Sequence, residues 1–364
     1  MKFRCEREAL ERALGLASRA VSTRGGSLPV LSGVHLVLSG DELRITGSDL
    51  DLTISVGVDV AGETDGVTVL PAKLASDIVR AVADGKVEFA VEGEEAHISA
   101  GRSEFSLRVI PADEFPQLPE PAENEVQLDA EAFRDALRQV TPAASADDSR
   151  PILTGVLMAA ESEGLRLVAT DSYRLAVRDL PGTSVLSGDE SVLVPSRSLN
   201  ELARVLDAEA ELTLRLGEHD ATFEMAGVRV TTRLIEGEFP NYRGLIPASH
   251  PNTLTVNREV LLDAVRRVRL LAQEATPVRM IMKPDLLELV AVTQDVGQAH
   301  EAVDAKYDGT ELTVAFNPDY LLAGIDVTGG DEVTLETVDE LKPALLRTVG
   351  SEEFLYLLMP VRVS

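Results

Sequence analysis

The residues of this chain that could do covalent chemistry are few, and their spacing is poor. Five histidines, His35, His97, His219, His250 and His300, show neither a His-x-x-x-His nor a Glu-x-x-His spacing, the pattern that sets two metal ligands on one helical face. Each reads better as a packed or solvated ring. The Asp49-Leu50-Asp51 pair could hold magnesium or act as an acid–base dyad. However, Asp49 recurs as Asp171 and Asp295 at equivalent places, as a repeated turn or cap would. Cys5 is the only cysteine, which excludes a disulfide framework and a thiolate cluster, and no neighbouring residue activates it. No Walker or dinucleotide-type glycine loop and no Gly-x-Ser-x-Gly elbow occurs. The expectation is a non-catalytic protein with no metal and no cofactor.

Residues suited to binding are better organised. Lys73 and Arg80 are seven apart, and 124 residues on stand Arg197 and Arg204. Seven residues is two helical turns, so each pair shares a stripe. The pairs lie off the apolar positions Leu74, Ile78, Ala81 and Leu199, Leu202, Val205 or Leu206. A basic stripe can be an ordinary solvated face, but its recurrence at related positions favours a polyanion such as DNA. Arg24, Arg150 and Arg266 are further candidates.

The elements that must position these residues come in three copies. Leu31-Ser32-Gly33-Val34 recurs as Leu153-Thr154-Gly155-Val156, Val69-Leu70-Pro71 as Leu193-Val194-Pro195, and Phe115-Pro116 as Phe239-Pro240, at spacings of 122 to 124. Ala291-Val292-Thr293-Gln294-Asp295 and Val314-Ala315-Phe316-Asn317-Pro318 mark a fainter third copy. Pro-rich joints at 116–124 and 247–252 divide the chain into expected domains 1–119, 125–247 and 252–364. Each copy opens with a helix whose apolar residues recur at three and four: Leu10, Ala13, Leu14, Ala17; Phe133, Ala136, Leu137, Val140; Leu261, Ala264, Val265, Val268. Alternating runs split by Gly-containing turns follow, then a Pro-led second helix at 71–83 and 195–206, then more strands at 87–91 and 212–216. The predicted class is α+β with antiparallel sheet. The third copy departs from the stripe: its corresponding positions are Asp319 and Asp326, which leaves the basic contribution of that helix open.

Composition sets limits. The 364 residues carry 61 acidic and 34 basic side chains, a net charge of −27. Such a field repels nucleic acid and anionic lipid from the average surface. The apolar runs are far too short for a membrane span. The N-terminus lacks the pattern of a signal peptide, so a cytoplasmic protein is expected. Acids such as those at 120–131 can crowd one face while the basic stripes gather on another.

The three-copy order, the segments Ala169-Thr170-Asp171-Ser172-Tyr173-Arg174-Leu175-Ala176 and Glu236-Gly237-Glu238-Phe239-Pro240-Asn241-Tyr242-Arg243, and the terminal Tyr356-Leu357-Leu358-Met359-Pro360-Val361-Arg362 resemble the bacterial sliding clamp, the β subunit of DNA polymerase III, over the whole chain. The resemblance implies a head-to-tail homodimer, a ring with helices lining the hole and antiparallel sheets outside. Double-stranded DNA would pass through it without sequence readout, and the ring would tether the replicative polymerase for processive synthesis. It implies DNA contact by Arg24, Lys73, Arg80, Arg150, Arg197, Arg204 and Arg266. It further implies a pocket for short partner peptides, from the polymerase, the clamp loader and other replication and repair proteins. The pocket positions are Leu153, Thr170, Ser172, Tyr173, Arg174, Leu175, Pro240, Leu245, Met359, Pro360, Val361 and Arg362. Dimer contacts fall at Phe105, Leu107, Leu270 and Leu271. Ser172, Tyr173 and Gly244 depart from the residues common in the family, which bears on peptide preference. The alternative function is a protein-only scaffold of three α+β repeats.

Overall fold

The computed structural model describes residues 1–22, 28–161, 164–183, 185–186, 190–207, 209–272 and 276–362. Among these residues the α-helices are α1 (Arg7–Ala17), α2 (Ala72–Ala81), α3 (Ala130–Val140), α4 (Ser196–Val205), α5 (Arg258–Arg269) and α6 (Pro318–Val327). They fall in pairs, two to each sequence repeat. The chain forms two compact units, Met1–Glu131 with Glu201–Leu234, and Ala132–Asn200 with Ile235–Ser364.

The first helix of each copy buries the stripe predicted from spacing: Leu10, Ala13, Leu14 and Ala17 in α1, Phe133, Ala136, Leu137 and Val140 in α3, and Leu261, Ala264, Val265 and Val268 in α5. In the second helices the match is partial. Leu199, Leu202 and Leu206 are buried as expected, but Leu74 is 49% exposed and Ala81 is exposed. The buried face of α2 is Ala72, Ala75, Ser76, Ile78 and Val79, so the packing stripe runs one position from the one expected. A hydroxyl pair explains part of this: Ser76 Oγ lies 3.1 Å from Ser18 Oγ, and a buried Ser is tolerated where it finds such a partner. α2 and α4 begin one residue after Pro71 and Pro195, whose missing N–H is harmless at a helix start. In α6 proline moves inside and Asn317 caps, accepting from the Asp319 and Tyr320 N–H groups at 2.8 and 3.2 Å.

The repeat is visible in local chemistry. Ser32 Oγ donates to the Pro29 carbonyl and Thr154 Oγ1 to the Pro151 carbonyl, both at 2.7 Å, closing the same short turn. The strand that follows starts at Gly33 or Gly155. A Cβ at Gly33 would lie 2.8 Å from the Leu70 carbonyl oxygen, and one at Gly155 would lie 2.7 Å from Leu193 Cδ1. Asp49 and Asp171 each close a turn: Asp49 Oδ1 accepts from Asp51 and Leu52 N–H at 3.1 and 2.8 Å, and Asp171 Oδ1 from Tyr173 and Arg174 N–H at 2.9 and 3.0 Å. Leu50 and Ser172 sit at φ 79° and 82°, the left-handed conformation those tight turns require.

Among the described residues all strand pairing is antiparallel, and sheets run across repeats. In the first unit Leu52–Asp59 of copy one pairs with Val228–Arg233 of copy two, Val56 opposite Val228 and Leu52 opposite Thr232, merging two four-stranded halves into an eight-stranded sheet. In the second unit Arg174–Pro181 of copy two pairs with Phe354–Leu358 of copy three, Arg174 opposite Leu358, within a nine-stranded sheet. The five-stranded sheet of copy one ends at Ser103–Arg108, and the four-stranded sheet of copy three ends at Gly297–Asp304.

Candidate peptide pocket and basic helix faces

The turn at Asp171 builds one site. Thr170 Oγ1 accepts from Ser172 N–H at 3.2 Å and donates to the Arg174 carbonyl at 2.7 Å, so the loop is held from inside and Tyr173 is thrown outward, 58% exposed. The Tyr173 carbonyl accepts from Met359 N–H at 2.9 Å, which seats the chain's last segment beside the turn. Further on, Val361 N–H donates to the Ala315 carbonyl at 2.7 Å. Beneath lies an apolar cluster of Val168, Leu175, Val177, Tyr242, Leu345, Leu355 and Leu357, with Leu157, Phe239, Ile246 and Met359 half-buried against it. Phe239 meets Tyr242 edge-on at 6.4 Å. Leu245 is 45% exposed and Pro240 is exposed. Val361 and Arg362 border an adjoining open groove of about 870 Å³ with Leu312, Ala315 and Leu341.

The expected pocket residues therefore divide by depth. Tyr173, Ser172, Pro240, Leu245, Val361 and Arg362 are exposed, and Met359 and Pro360 half-buried. Leu153, Thr170 and Leu175 are buried; Leu175 is part of the core floor. Arg174 is already engaged within the chain. Its Nε donates to Asp171 Oδ2 at 2.9 Å, its Nη1 to the Tyr356 hydroxyl at 3.4 Å, and its guanidinium lies 4.5 Å from the Tyr320 ring centroid. Burial opposes its charge, but Tyr356 and Asp171 outweigh that and hold its pKa above the ordinary value. Burial pushes the Tyr356 hydroxyl up to about 12.

The second feature is the basic faces. Lys73, Arg80, Arg197 and Arg204 are all exposed on α2 and α4. Lys73 makes no ion pair among the described residues. Arg80 is 3.7 Å from Glu11 and 3.8 Å from Asp77. Arg204 pairs with Glu201 at 2.6 Å, and Glu201 also takes Arg19 at 2.8 Å. Arg24 lies outside the described residues. Arg150 is held by Asp147 at 2.9 Å and reaches Ser172 Oγ at 3.4 Å, which sets it beside the pocket turn. Arg266 pairs with Asp263 and Asp326 at 3.3 and 3.6 Å. Of the expected dimer residues, Leu270 is 83% and Phe105 36% exposed, Leu271 is half-buried, and Leu107 is buried. Phe105 and Leu107 share a face of the edge strand, but only Phe105 is left uncovered.

Family models for the DNA polymerase III beta subunit match this chain in order: the N-terminal domain at 1–119, the central domain at 127–241 and the C-terminal domain at 243–362. The chain belongs to the beta sliding clamp family. The beta sliding clamp of Streptomyces coelicolor is 35% identical, with both chains covered in full. The crystal structure of the Bacillus subtilis DNA polymerase sliding clamp superposes with a TM-score of 0.95 at 32% identity, again over both full chains. That of a Pseudomonas aeruginosa clamp bound to griselimycin gives 0.94 at 30% identity, with full coverage of both. The fold is the three-domain clamp fold, and the function is that of a processivity clamp for DNA polymerase III.

Two residues of this clamp are not singled out by its sequence pattern. Tyr320 stacks near Tyr173, ring centroids 6.3 Å apart, and covers Arg174. Only its position just after the Asn317-Pro318 helix start hints at exposure. Arg19 lies beyond the end of α1 and shares Glu201 with Arg204.

Proposed function

We propose that two copies of this clamp close head to tail into a ring around double-stranded DNA, and that the pocket at Tyr173 and Met359 receives short peptides of the replicative polymerase, the clamp loader and other replication and repair proteins. The ring would carry out no covalent step. Opening would need an external ATP-driven loader, and the working place would be the bacterial cytoplasm. The three domains would run 1–119, 125–247 and 252–364.

The observation that carries this reading is the repeated junction. The chain joins copy one to copy two through Leu52–Asp59 and Val228–Arg233, and copy two to copy three through Arg174–Pro181 and Phe354–Leu358. The strands at equivalent places, Gly297–Asp304 of copy three and Ser103–Arg108 of copy one, are each paired on one side only and leave an open sheet edge. An open edge bearing Phe105 is an aggregation hazard unless it is paired. A second copy supplies the missing strand on both sides, and the chain closes. Lys73, Arg80, Arg197 and Arg204 would then meet phosphates, each contact adding about 0.9 to the log–log salt slope without reading bases.

The test is retention. The clamp, loaded on a nicked circle, should stay at high salt and leave when the circle is linearised; loss that ignores DNA ends refutes the ring. Its solution mass should be twice 39.1 kDa. Lys73→Glu with Arg197→Glu should impair loading or retention.

A further inference from the structure

We propose that Asp319 and Asp326 are built-in counter-ions that withhold the third copy's arginines from DNA phosphate, so that copies one and two do the holding. The inference rests on the DNA-encircling reading above. At the positions of Lys73 and Arg80, and of Arg197 and Arg204, the third copy carries acids seven apart on α6. Opposite them, the last turn of α5 carries Arg266, Arg267 and Arg269. Every one is met by an acid. Arg269 Nε bonds to Asp319 Oδ1, Arg266 is 3.6 Å from Asp326 and 3.3 Å from Asp263, and Arg267 makes a two-pronged bond to Glu301 at 2.7 and 3.1 Å. In copies one and two Arg80 and Arg204 also meet acids, Glu11 and Asp77 in the one case and Glu201 in the other, but there the stripe positions themselves are basic, and Lys73 has no acidic partner among the described residues.

Stability does not account for these acids. Arg266, Arg269, Asp319 and Asp326 are all half exposed or more, and an exposed pair contributes only about 0–1 kcal/mol. Asp319 in the first turn of α6 suits the helix dipole. Asp326, one residue from the end of α6, sits where the dipole disfavours an acid. An acid kept at an unfavourable helix end, aimed at an arginine, is better explained by what it does to that arginine. An arginine that reaches phosphate must leave its carboxylate, and the carboxylate then faces the same phosphate. The gain in counterion release is cancelled locally, which keeps the grip weak enough for sliding.

The experiment compares the intact dimeric clamp with Asp319→Asn/Asp326→Asn, using fluorescence anisotropy of a labelled duplex from about 50 to 200 mM salt. The double variant should bind more tightly, with a salt slope steeper by at least about 1 and up to about 2 per ring, since Arg269 of each chain loses its carboxylate while Arg266 keeps Asp263. Adding Arg269→Ala should remove that gain, and Asp319→Glu should behave as the unaltered chain. An unchanged slope overturns the proposal, and so does tighter binding at constant slope. Retention on the nicked circle separates the two claims: an unaltered clamp that is not retained refutes the ring, whereas a retained clamp with an unmoved slope refutes only the counter-ions. If the double variant fails to dimerise, Asp319→Asn alone is scored by the same slope.

Discussion

The two junctions between repeats share a backbone and differ in almost every side chain that faces the turn. At the first, the Asp51 carbonyl accepts from Arg233 N–H at 2.9 Å; at the second, the Tyr173 carbonyl accepts from Met359 N–H at the same distance. Thr53 pairs with Thr231 where Leu175 pairs with Leu357, and Val230 stands where Tyr356 does. The first junction is thus lined by Asp51, Thr53, Thr231 and Arg233, and the second by Tyr173, Leu175, Leu357 and Met359. Strand pairing builds both junctions, but only the second adds the apolar floor and adaptable methionine that the proposed peptide capture requires. Fold and site are separable within one chain.

The largest effect should come from making the second junction resemble the first at its floor. Leu175→Ala removes a fully buried side chain and should lower stability by about 2–5 kcal/mol, read as a shift in the denaturant midpoint. The same change at the half-exposed Thr53 should cost far less, and equal losses would break the comparison. Because Leu175 is core, rim variants are the cleaner probe of function. Tyr173→Ala with Met359→Ala should weaken a labelled polymerase peptide by about 2 kcal/mol or more, roughly 30-fold, while the solution mass stays that of the dimer. Unchanged affinity would remove the pocket from the mechanism.

The turns sharpen the contrast further. Asp49→Ala and Asp171→Ala each delete the acceptor of two N–H groups and should each cost about 1–3 kcal/mol. Only Asp171→Ala also frees Arg174, so only it should reduce peptide affinity; a parallel loss in both would deny Arg174 a role. The smallest effect is one of pH. Burial raises the Tyr356 hydroxyl to about 12, above its value of about 10 in an unfolded chain. The neutral phenol therefore supports the folded state fully below about pH 10, and that support is lost as pH rises through about 12. Burial also raises Tyr307 and Tyr320, so ultraviolet titration should find several late-ionising tyrosines, and Tyr356→Phe should remove the step near pH 12. At the first junction Val230 contributes no such step.

Much of this molecule is legible along the chain. The 122-residue recurrence, the buried stripes of α1, α3 and α5, the turn role of Asp49 and Asp171, and the exposure of Lys73, Arg80, Arg197 and Arg204 all follow from local periodicity. Local periodicity cannot rank faces when both carry apolar residues, which is why Leu74 and Ala81 of α2 face outward. It is also silent about partners far away in sequence. Arg174 is committed to Tyr356, 182 residues on, and Tyr320 becomes a pocket neighbour only after Phe354–Leu358 has paired with Arg174–Pro181. The reversal of charge at Asp319 and Asp326 can be read from the sequence; that they face Arg269 and Arg266 depends on how α5 packs on α6.

The sequence by itself determined the number of repeats, the order of their elements and the family, because these depend on short-range spacing and on residues compared at fixed intervals. Only the tertiary structure decided which arginines are available and which are already paired, which leucines are floor and which are rim, and which sheet edges remain open. Those properties belong to pairs of surfaces brought together by strand registers, and burial and charge compensation do not exist until the registers close.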